Sequence, residues 1–352
     1  MICSDIADPI NRRILAVAED RLQGFHEAPF LALAERCELP EATVLERMRA
    51  MLSAGTILRV RQILPSTALT QGCLIAWQVP ENALHAAFDY LREQDPATGH
   101  IVIRRWSDTS LPGADYRLWT TLKLPREADM EQHCRRLAAA IGASDYACMP
   151  VVGMFTLSVG HVRRAGLPPG TLQPQLPTMQ RPPTPHLSEE QLRVLRAFRE
   201  PLQLSEIAHH PWQQRAEALG MSSGHFCSIA RELVQQRALG RFAAVLNHTL
   251  PANTHTGTGE SALFMWAVPA GQEEAAGATC GQHVCMTHCY WRSGAERFGG
   301  VQIMGVVHAP TLPELLAHKA ALDAALARKG IPLLHTAVLH TERALVKPSR
   351  EA

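Results

Sequence analysis

Two short stretches of the chain each place a histidine four residues before an arginine. His100-Ile-Val-Ile-Arg104 lies in the first half and His288-Cys-Tyr-Trp-Arg292 in the second. On a β-strand, residues an even number apart point to the same face, so each stretch would present both side chains together. Imidazole exchanges a proton near neutral pH, and a guanidinium grips a carboxylate with two hydrogen bonds. The pattern predicts binding of an acidic ligand and transfer of a proton.

Four further side chains are candidates for the same site. Tyr290 lies two residues after His288 and would share its strand face. Arg105, Arg117 and Arg297 lie in neighbouring predicted strands and loops and could also bind carboxylates. The alternative is structural: the histidines are ordinary strand residues, and the arginines are solvated surface charges.

A cysteine- and histidine-rich segment runs from Cys280 to Cys289 and contains His283, Cys285 and His288. Its Cys-x4-Cys-x3-Cys spacing matches no common zinc pattern, and a helix-to-strand segment cannot easily aim all five side chains at one point. We therefore expect buried thiols here and no metal site.

The chain repeats a series of landmarks in the same order. Ala34-Glu35 returns as Ala216-Glu217, and three more landmarks recur about 182 to 189 residues further on. These pairs are Trp77-Gln-Val-Pro80 with Trp266-Ala-Val-Pro269, the two His-x3-Arg stretches, and Leu122-Lys-Leu-Pro125 with Val307-His-Ala-Pro310. Order and spacing indicate an internal duplication that folds as a pseudo-dimer, with a site repeated or shared across a pseudo-twofold axis.

Periodicity divides each half into two domains. Residues 1–62 and 187–245 show two or three helical stripes followed by a strand, the layout of a winged helix-turn-helix. Residues 63–166 and 246–352 alternate strands and helices in the order βαββαβ, which is ferredoxin-like. Between the halves, residues 167–186 contain seven prolines and predict a semi-extended linker. The expected fold class is α+β, internally duplicated, with one winged unit and one ferredoxin-like domain in each half.

Composition limits the classes of function. A formal net charge of +1 argues against a large non-specific nucleic-acid footprint. No apolar run is long enough to span a membrane, and the first residues lack the pattern of a secretory signal. Nine cysteines without framework spacing indicate reduced thiols. We expect a cytoplasmic protein.

The combined motifs resemble the sirohaem decarboxylases, an enzymatic branch of the Lrp/AsnC-like superfamily. The resemblance is carried by Trp-x-Val-Pro, by His-x-Tyr-x-Arg in the second half, and by Tyr116-Arg-Leu-Trp-Thr-Thr-Leu. Met154-Phe-Thr-Leu-Ser-Val and Thr341-Glu-Arg-Ala-Leu-Val-Lys-Pro add to it. The chain is similar to the fused form of these enzymes, in which two homologous subunits share one chain. That form occurs in the biosynthesis of d-type haem.

The resemblance implies an activity and a distribution of roles. The activity is loss of ring acetate carboxylates from sirohaem as carbon dioxide, giving a didecarboxylated product for haem or d-type haem. His288 would donate a proton or orient a carboxylate, or instead bind the iron, with His100 as its counterpart and Tyr290 assisting. The residues that would bind substrate are Arg292, Arg104, Arg105, Arg117 and Arg297.

The resemblance also bears on cofactors and partners. The macrocycle serves as the electron sink, so no added cofactor is expected, and the iron belongs to the substrate. Homologous subunits or a homo-oligomer are the expected protein partners.

Three departures from the family pattern bear on the site. Ile101 and Val102 stand where the family has Asn and Tyr, Ser107–Ala114 is an insertion, and Phe298-Gly-Gly-Val replaces an aromatic-Asn-Leu pattern. We therefore expect the second half to hold the working site and the first half to act as scaffold.

Two other functions stay open: a tetrapyrrole-binding protein without catalysis, and an Lrp/AsnC-type DNA-binding regulator. The candidate recognition helices, from Glu41 and from Ser222, carry few of the basic and amide side chains that usually contact DNA. Nucleic acid is thus not the expected partner, although a patch formed by Arg47, Arg49, Arg59 and Arg61 would favour it.

Overall fold

The chain forms two compact units, and each unit draws segments from both halves of the sequence. The structure is a computed structural model that describes residues 2–65, 70–157, 160–164, 166–247 and 259–347. The first unit combines Met1–Thr67, Val159–Ala165 and Pro183–Gly259, and the second combines Ala68–Ser158, Gly166–Pro182 and Glu260–Ala352.

The first unit is mainly helical. Its helices are α1 (Pro9–Ala18), α2 (Pro29–Cys37), α3 (Glu41–Ser53), α6 (His161–Arg164), α7 (Glu189–Ala197), α8 (Gln213–Ala218) and α9 (Ser223–Gln235). Its strands β1 (Ile57–Gln62) and β6 (Phe242–Leu246) pair with each other in antiparallel fashion. Side-chain caps fix where two of these helices begin. The Asp8 carboxylate caps α1, and Ser188 with Gln191 forms a capping box at α7.

The four arginines that could have formed a basic patch in the first unit are engaged or buried. Arg47 pairs with Asp8, and Arg49 Nη2 donates to the carbonyl of Ile207. Arg61 Nη2 donates to the carbonyl of Arg199 at 3.0 Å. Burial lowers the pKa of Arg59.

In the described residues, the second unit contains eight strands and four α-helices. Its first-half elements are β2 (Thr70–Gln78), α4 (Leu84–Gln94), β3 (Thr98–Trp106), β4 (Tyr116–Pro125), α5 (Met130–Ile141) and β5 (Asp145–Leu157). Its second-half elements are β7 (Glu260–Ala267), α10 (Glu273–Gln282), β8 (Met286–Arg292), β9 (Ile303–Ala309), α11 (Leu312–Arg328) and β10 (His335–Val346).

The eight strands close into one barrel in the order β10-β3-β4-β2-β5-β8-β9-β7. The strand order is equivalent in the two halves. In the first half β3 and β5 flank the central pair of β4 and β2. In the second half β8 and β10 flank the central pair of β9 and β7. The halves join twice, through β10 with β3 and through β5 with β8. All neighbouring strands are antiparallel, so β3 and β8 begin at the same end of the barrel at which β10 ends.

Strand alternation separates two kinds of core. One set of strand side chains points out of the barrel and packs against helices. These helices are α4 and α5 in the first half and α10 and α11 in the second half. The opposite set forms a cluster without helix residues, which is the barrel interior; it includes Val102, Trp119, Met149, Met265 and Leu339. His100 and Arg104 alternate with the outward-facing Ile101 and Ile103, so they face the interior.

The proline-rich segment does more than connect the halves. Backbone groups of Met154 and Gln180 exchange two hydrogen bonds of 2.9 and 2.7 Å beside β5. The amide of Gln173 donates to the carbonyl of Gln282 at the end of α10. The segment therefore packs along β5 and α10 up to Pro182, and the chain enters the first unit from Pro183.

Within the described ranges, no helix combines the length and apolar character that crossing a bilayer requires.

Candidate active site

The interior of the barrel brings both His-x3-Arg stretches into one space. His100 and Arg104 lie on β3, and His288 and Arg292 lie on β8. The two histidines lie near the starts of their strands, at the same barrel end. Val346, opposite His100 in the β10–β3 register, is 52% exposed, so the rim of the barrel at this end reaches solvent.

Both arginines of the pattern are buried although they are cations. Arg104 and Arg292 are each 7% exposed, and burial lowers the pKa of both, to about 10 for Arg104. Neither guanidinium forms an ion pair with a side chain in the described part of the chain. A buried charge without a counterion is costly, and a bound carboxylate removes that cost.

Tyr290 joins His288 and Arg292 into a column along one face of β8. The His288 and Tyr290 rings lie 6.2 Å apart with an interplanar angle of 19°. The Arg292 guanidinium carbon lies 4.7 Å from the centre of the Tyr290 ring, within the range of a cation–π contact. Arg292 Nη1 also donates to the carbonyl of Met149 at 2.9 Å. The expected shared face of these three residues is present.

His100 is held in its neutral form. Burial, followed by the positive charges of Arg104 and His288, lowers its pKa to about 4. The charge of His288 contributes to this lowering, as expected for two histidines that face the same interior. A neutral imidazole has one nitrogen that donates and one that accepts a hydrogen bond, so His100 is suited to orienting a ligand.

An aromatic cluster closes the opposite end of the barrel. Phe298 packs between Trp106, Tyr116 and Trp119, with ring centres 5.2 to 6.3 Å apart. The inserted loop Ser107–Ala114 takes part: its Leu111 and Ala114 pack against the same cluster. The insertion and the unusual Phe298-Gly-Gly-Val thus build a closed end.

Three predicted substrate-binding arginines lie away from the histidines. Arg105 faces outward and is exposed. Arg117 is ion-paired with Glu81 and Glu342. Arg297 pairs with Asp145 at the closed end, with its Nε at 2.6 Å. Their reach toward a ligand in the barrel stays a prediction, and the structure does not bring them together with His288.

The cysteine-rich segment is divided between different faces. Cys280 and Cys289 are buried in the helix-covered core, and burial raises the pKa of both thiols. His288 faces the barrel instead. Across the described residues, no three His, Cys, Asp or Glu side chains are arranged to hold a metal ion.

Two hydroxyl groups near Arg104 were not singled out from the sequence. Thr341 Oγ1 accepts from Arg104 Nη1 at 3.4 Å and donates to Ser261 Oγ at 3.3 Å. Thr341 is paired with Arg104 in the β10–β3 register. Only the closure of the barrel places β10 beside β3, so no local sequence signal identifies these hydroxyls.

Comparison with known proteins agrees with this geometry. Residues 69–156 match the family model described as AsnC-like ligand binding domain. A sirohaem decarboxylase of Hydrogenobacter thermophilus is 25% identical over 86% of this chain and 85% of its own length. The sirohaem decarboxylase NirDL subunit of Paracoccus pantotrophus is 23% identical over 86% of both chains. The resemblance to the sirohaem decarboxylases is thereby confirmed.

Solved structures of NirDL have the same fold. The crystal structure of this sirohaem decarboxylase matches with a TM-score of 0.65, 21% identity, and coverage of 95% of this chain and 91% of that chain. A second crystal structure, a complex with an iron-uroporphyrin III analogue, matches with a TM-score of 0.64 over 96% and 92%. The mixed α+β architecture is therefore shared along nearly the whole length.

Proposed function

We propose that this protein is a sirohaem decarboxylase, a carboxy-lyase that removes ring acetate carboxylates as carbon dioxide. The observation that carries the proposal is the pair of buried guanidiniums, Arg104 and Arg292, in one barrel with His100 and His288. Sirohaem is a flat apolar macrocycle with a rim of carboxylates. An apolar interior with two uncompensated cations fits that chemistry.

The reaction needs a proton and a poorly solvated carboxylate. When the bond between a methylene carbon and its carboxylate breaks, carbon dioxide leaves and the electron pair stays on the methylene, spread into the macrocycle. A proton then converts the methylene into a methyl group. His288, beside Tyr290 on β8, supplies this proton.

The remaining side chains bind and orient. Arg292, fixed by Tyr290 and the Met149 carbonyl, grips one carboxylate. Neutral His100 accepts a hydrogen bond or orients the substrate from the opposite wall. The closed aromatic end excludes water from the far side of the macrocycle. No separate cofactor is required, since the iron arrives with the substrate.

The architecture supports an origin by internal duplication. Each half contributes a helical segment ending in a strand, in the pattern of a winged helix-turn-helix, and then a βαββαβ set. The two sets have equivalent strand orders and complete one barrel. One compact unit combines Met1–Thr67 with Pro183–Gly259, and the other combines Ala68–Ser158 with Glu260–Ala352, so each unit takes a segment from each half. We infer that the two halves correspond to the two homologous subunits of the fused form.

Anaerobic incubation of the purified protein with sirohaem tests the function, with absorbance spectra and product mass as readouts. The expected product has lost two molecules of carbon dioxide. Tight binding without a change in mass would instead show a tetrapyrrole-binding protein. Absence of any binding would overturn the proposal and return DNA binding to consideration.

A further inference from the structure

The two buried arginines have different surroundings. Arg292 is fixed by a short hydrogen bond and an aromatic ring. Arg104 has only two long contacts from Nη1, 3.4 Å to Thr341 Oγ1 and 3.5 Å to the Leu339 carbonyl. Its Nε is buried and lacks a hydrogen-bond partner in the described structure.

The surroundings of Arg104 provide what a carboxylate needs. A planar guanidinium can give one oxygen a hydrogen bond from Nε and the other a hydrogen bond from Nη. The hydroxyls of Thr341 and Ser261 lie 3.3 Å apart beside it and can rotate to donate as well. At the corresponding position of the second half, Val151 stands opposite Arg292 in the β5–β8 register and offers no hydroxyl.

We propose, building on the proposed function, that Arg104, Thr341 and Ser261 form a pocket for a carboxylate that the reaction retains. Strong donors stabilise a carboxylate in the ground state and so oppose its loss, since charge leaves that group as carbon dioxide departs. The carboxylates that are lost lie instead beside His288, where a proton is at hand. The hydroxyl pocket therefore fixes the orientation of the macrocycle.

The retained group is a carboxylate of either an acetate or a propionate side chain, and two iron porphyrins distinguish these sources. Iron-uroporphyrin III carries both kinds, and iron-coproporphyrin III carries propionates with methyls in place of acetates. Weaker binding of both ligands to the pocket variants would identify a propionate. Weaker binding of only the uroporphyrin would identify an acetate.

Thr341→Val and Ser261→Ala test the pocket in the full chain, with Thr336→Val as control. The Thr336 hydroxyl donates to the Met265 carbonyl on the same strand pair but outside this pocket. We expect each pocket variant to raise the Kd for iron-uroporphyrin III and the KM for sirohaem about tenfold, with kcat within about threefold. The control should bind and turn over as the unchanged protein does.

Two results would overturn the retained-carboxylate pocket while leaving the function intact. One is binding and kinetics equal to those of the control. The other is a rise in kcat, which would show that the pocket had been stabilising the departing carboxylate. If the unchanged protein binds neither porphyrin nor sirohaem, the proposed function fails together with the pocket.

Discussion

His100 and His288 occupy matching positions on β3 and β8 but are chemically unequal. Burial and two neighbouring cations hold the pKa of His100 at about 4. His288 stacks beside Tyr290, whereas the residue two positions after His100 is Val102. The even spacing of His, Tyr and Arg was sufficient to predict a shared strand face. The mutual approach of the two histidines depends on barrel closure and has no local signal.

Replacing His288 by Asn should lower the rate of decarboxylation about a hundred- to ten-thousand-fold, because the proposed proton donor is lost. Binding of iron-uroporphyrin III should change little. His225→Asn is the matched control, since His225 is exposed and only ion-paired with Glu190. Single-turnover rates measure the effect. Equal rates in the two variants would contradict the assignment.

The depressed pKa of His100 predicts a pH-dependent contribution to stability. Between about pH 6.5 and pH 4 the unfolded chain binds a proton at this residue and the folded chain does not. The full stability is therefore present above the pKa that His100 has in the unfolded chain. As the pH falls toward the pKa that His100 has in the folded chain, the free energy of unfolding decreases by about 1–3 kcal/mol. Denaturant unfolding should show that His100→Gln loses less stability over this interval than the unchanged protein. Parallel stability curves would show that His100 is not buried as described.

At the scale of elements, the strands and helices of the second unit follow the sequence periodicity closely. The second strand of the first predicted βαββαβ set is β3 (Thr98–Trp106), and the second helix of the other set is α11 (Leu312–Arg328). Alternating apolar residues determine such elements locally. Pairing between β10 and β3 is a long-range property and could not be inferred. The insertion at Ser107–Ala114 lies at the closed end of the barrel, where Leu111 and Ala114 pack.

A substitution at Gly113 tests how tightly the side chains pack at the closed end of the barrel. It has a φ of +85°, and a Cβ there would overlap the Phe298 ring and approach the Arg297 carbonyl to 3.0 Å. Gly300 has a φ of +71° with nothing within 4 Å, so it carries the same backbone strain without the clash. Gly113→Ala should therefore destabilise the protein by about 1–3 kcal/mol more than Gly300→Ala. Equal unfolding midpoints for the two variants would contradict tight packing at the closed end of the barrel.

At the scale of the whole molecule, the two halves are needed to enclose one interior. The repeated landmarks predicted duplication, but a repeated site and a shared site were equally compatible with them. The structure places both arginines and both histidines inside the single barrel of the second unit. We therefore expect a single macrocycle to contact both halves, including the first half with its altered residues.

The most direct measurement is an anaerobic titration with iron-uroporphyrin III, comparing the unchanged protein with Arg104→Gln and Arg292→Gln. A shared site predicts saturation at one porphyrin per chain, with each single variant weakening that one binding event. Saturation at two porphyrins per chain, with each variant abolishing one of them, would contradict the shared site and restore two separate pockets.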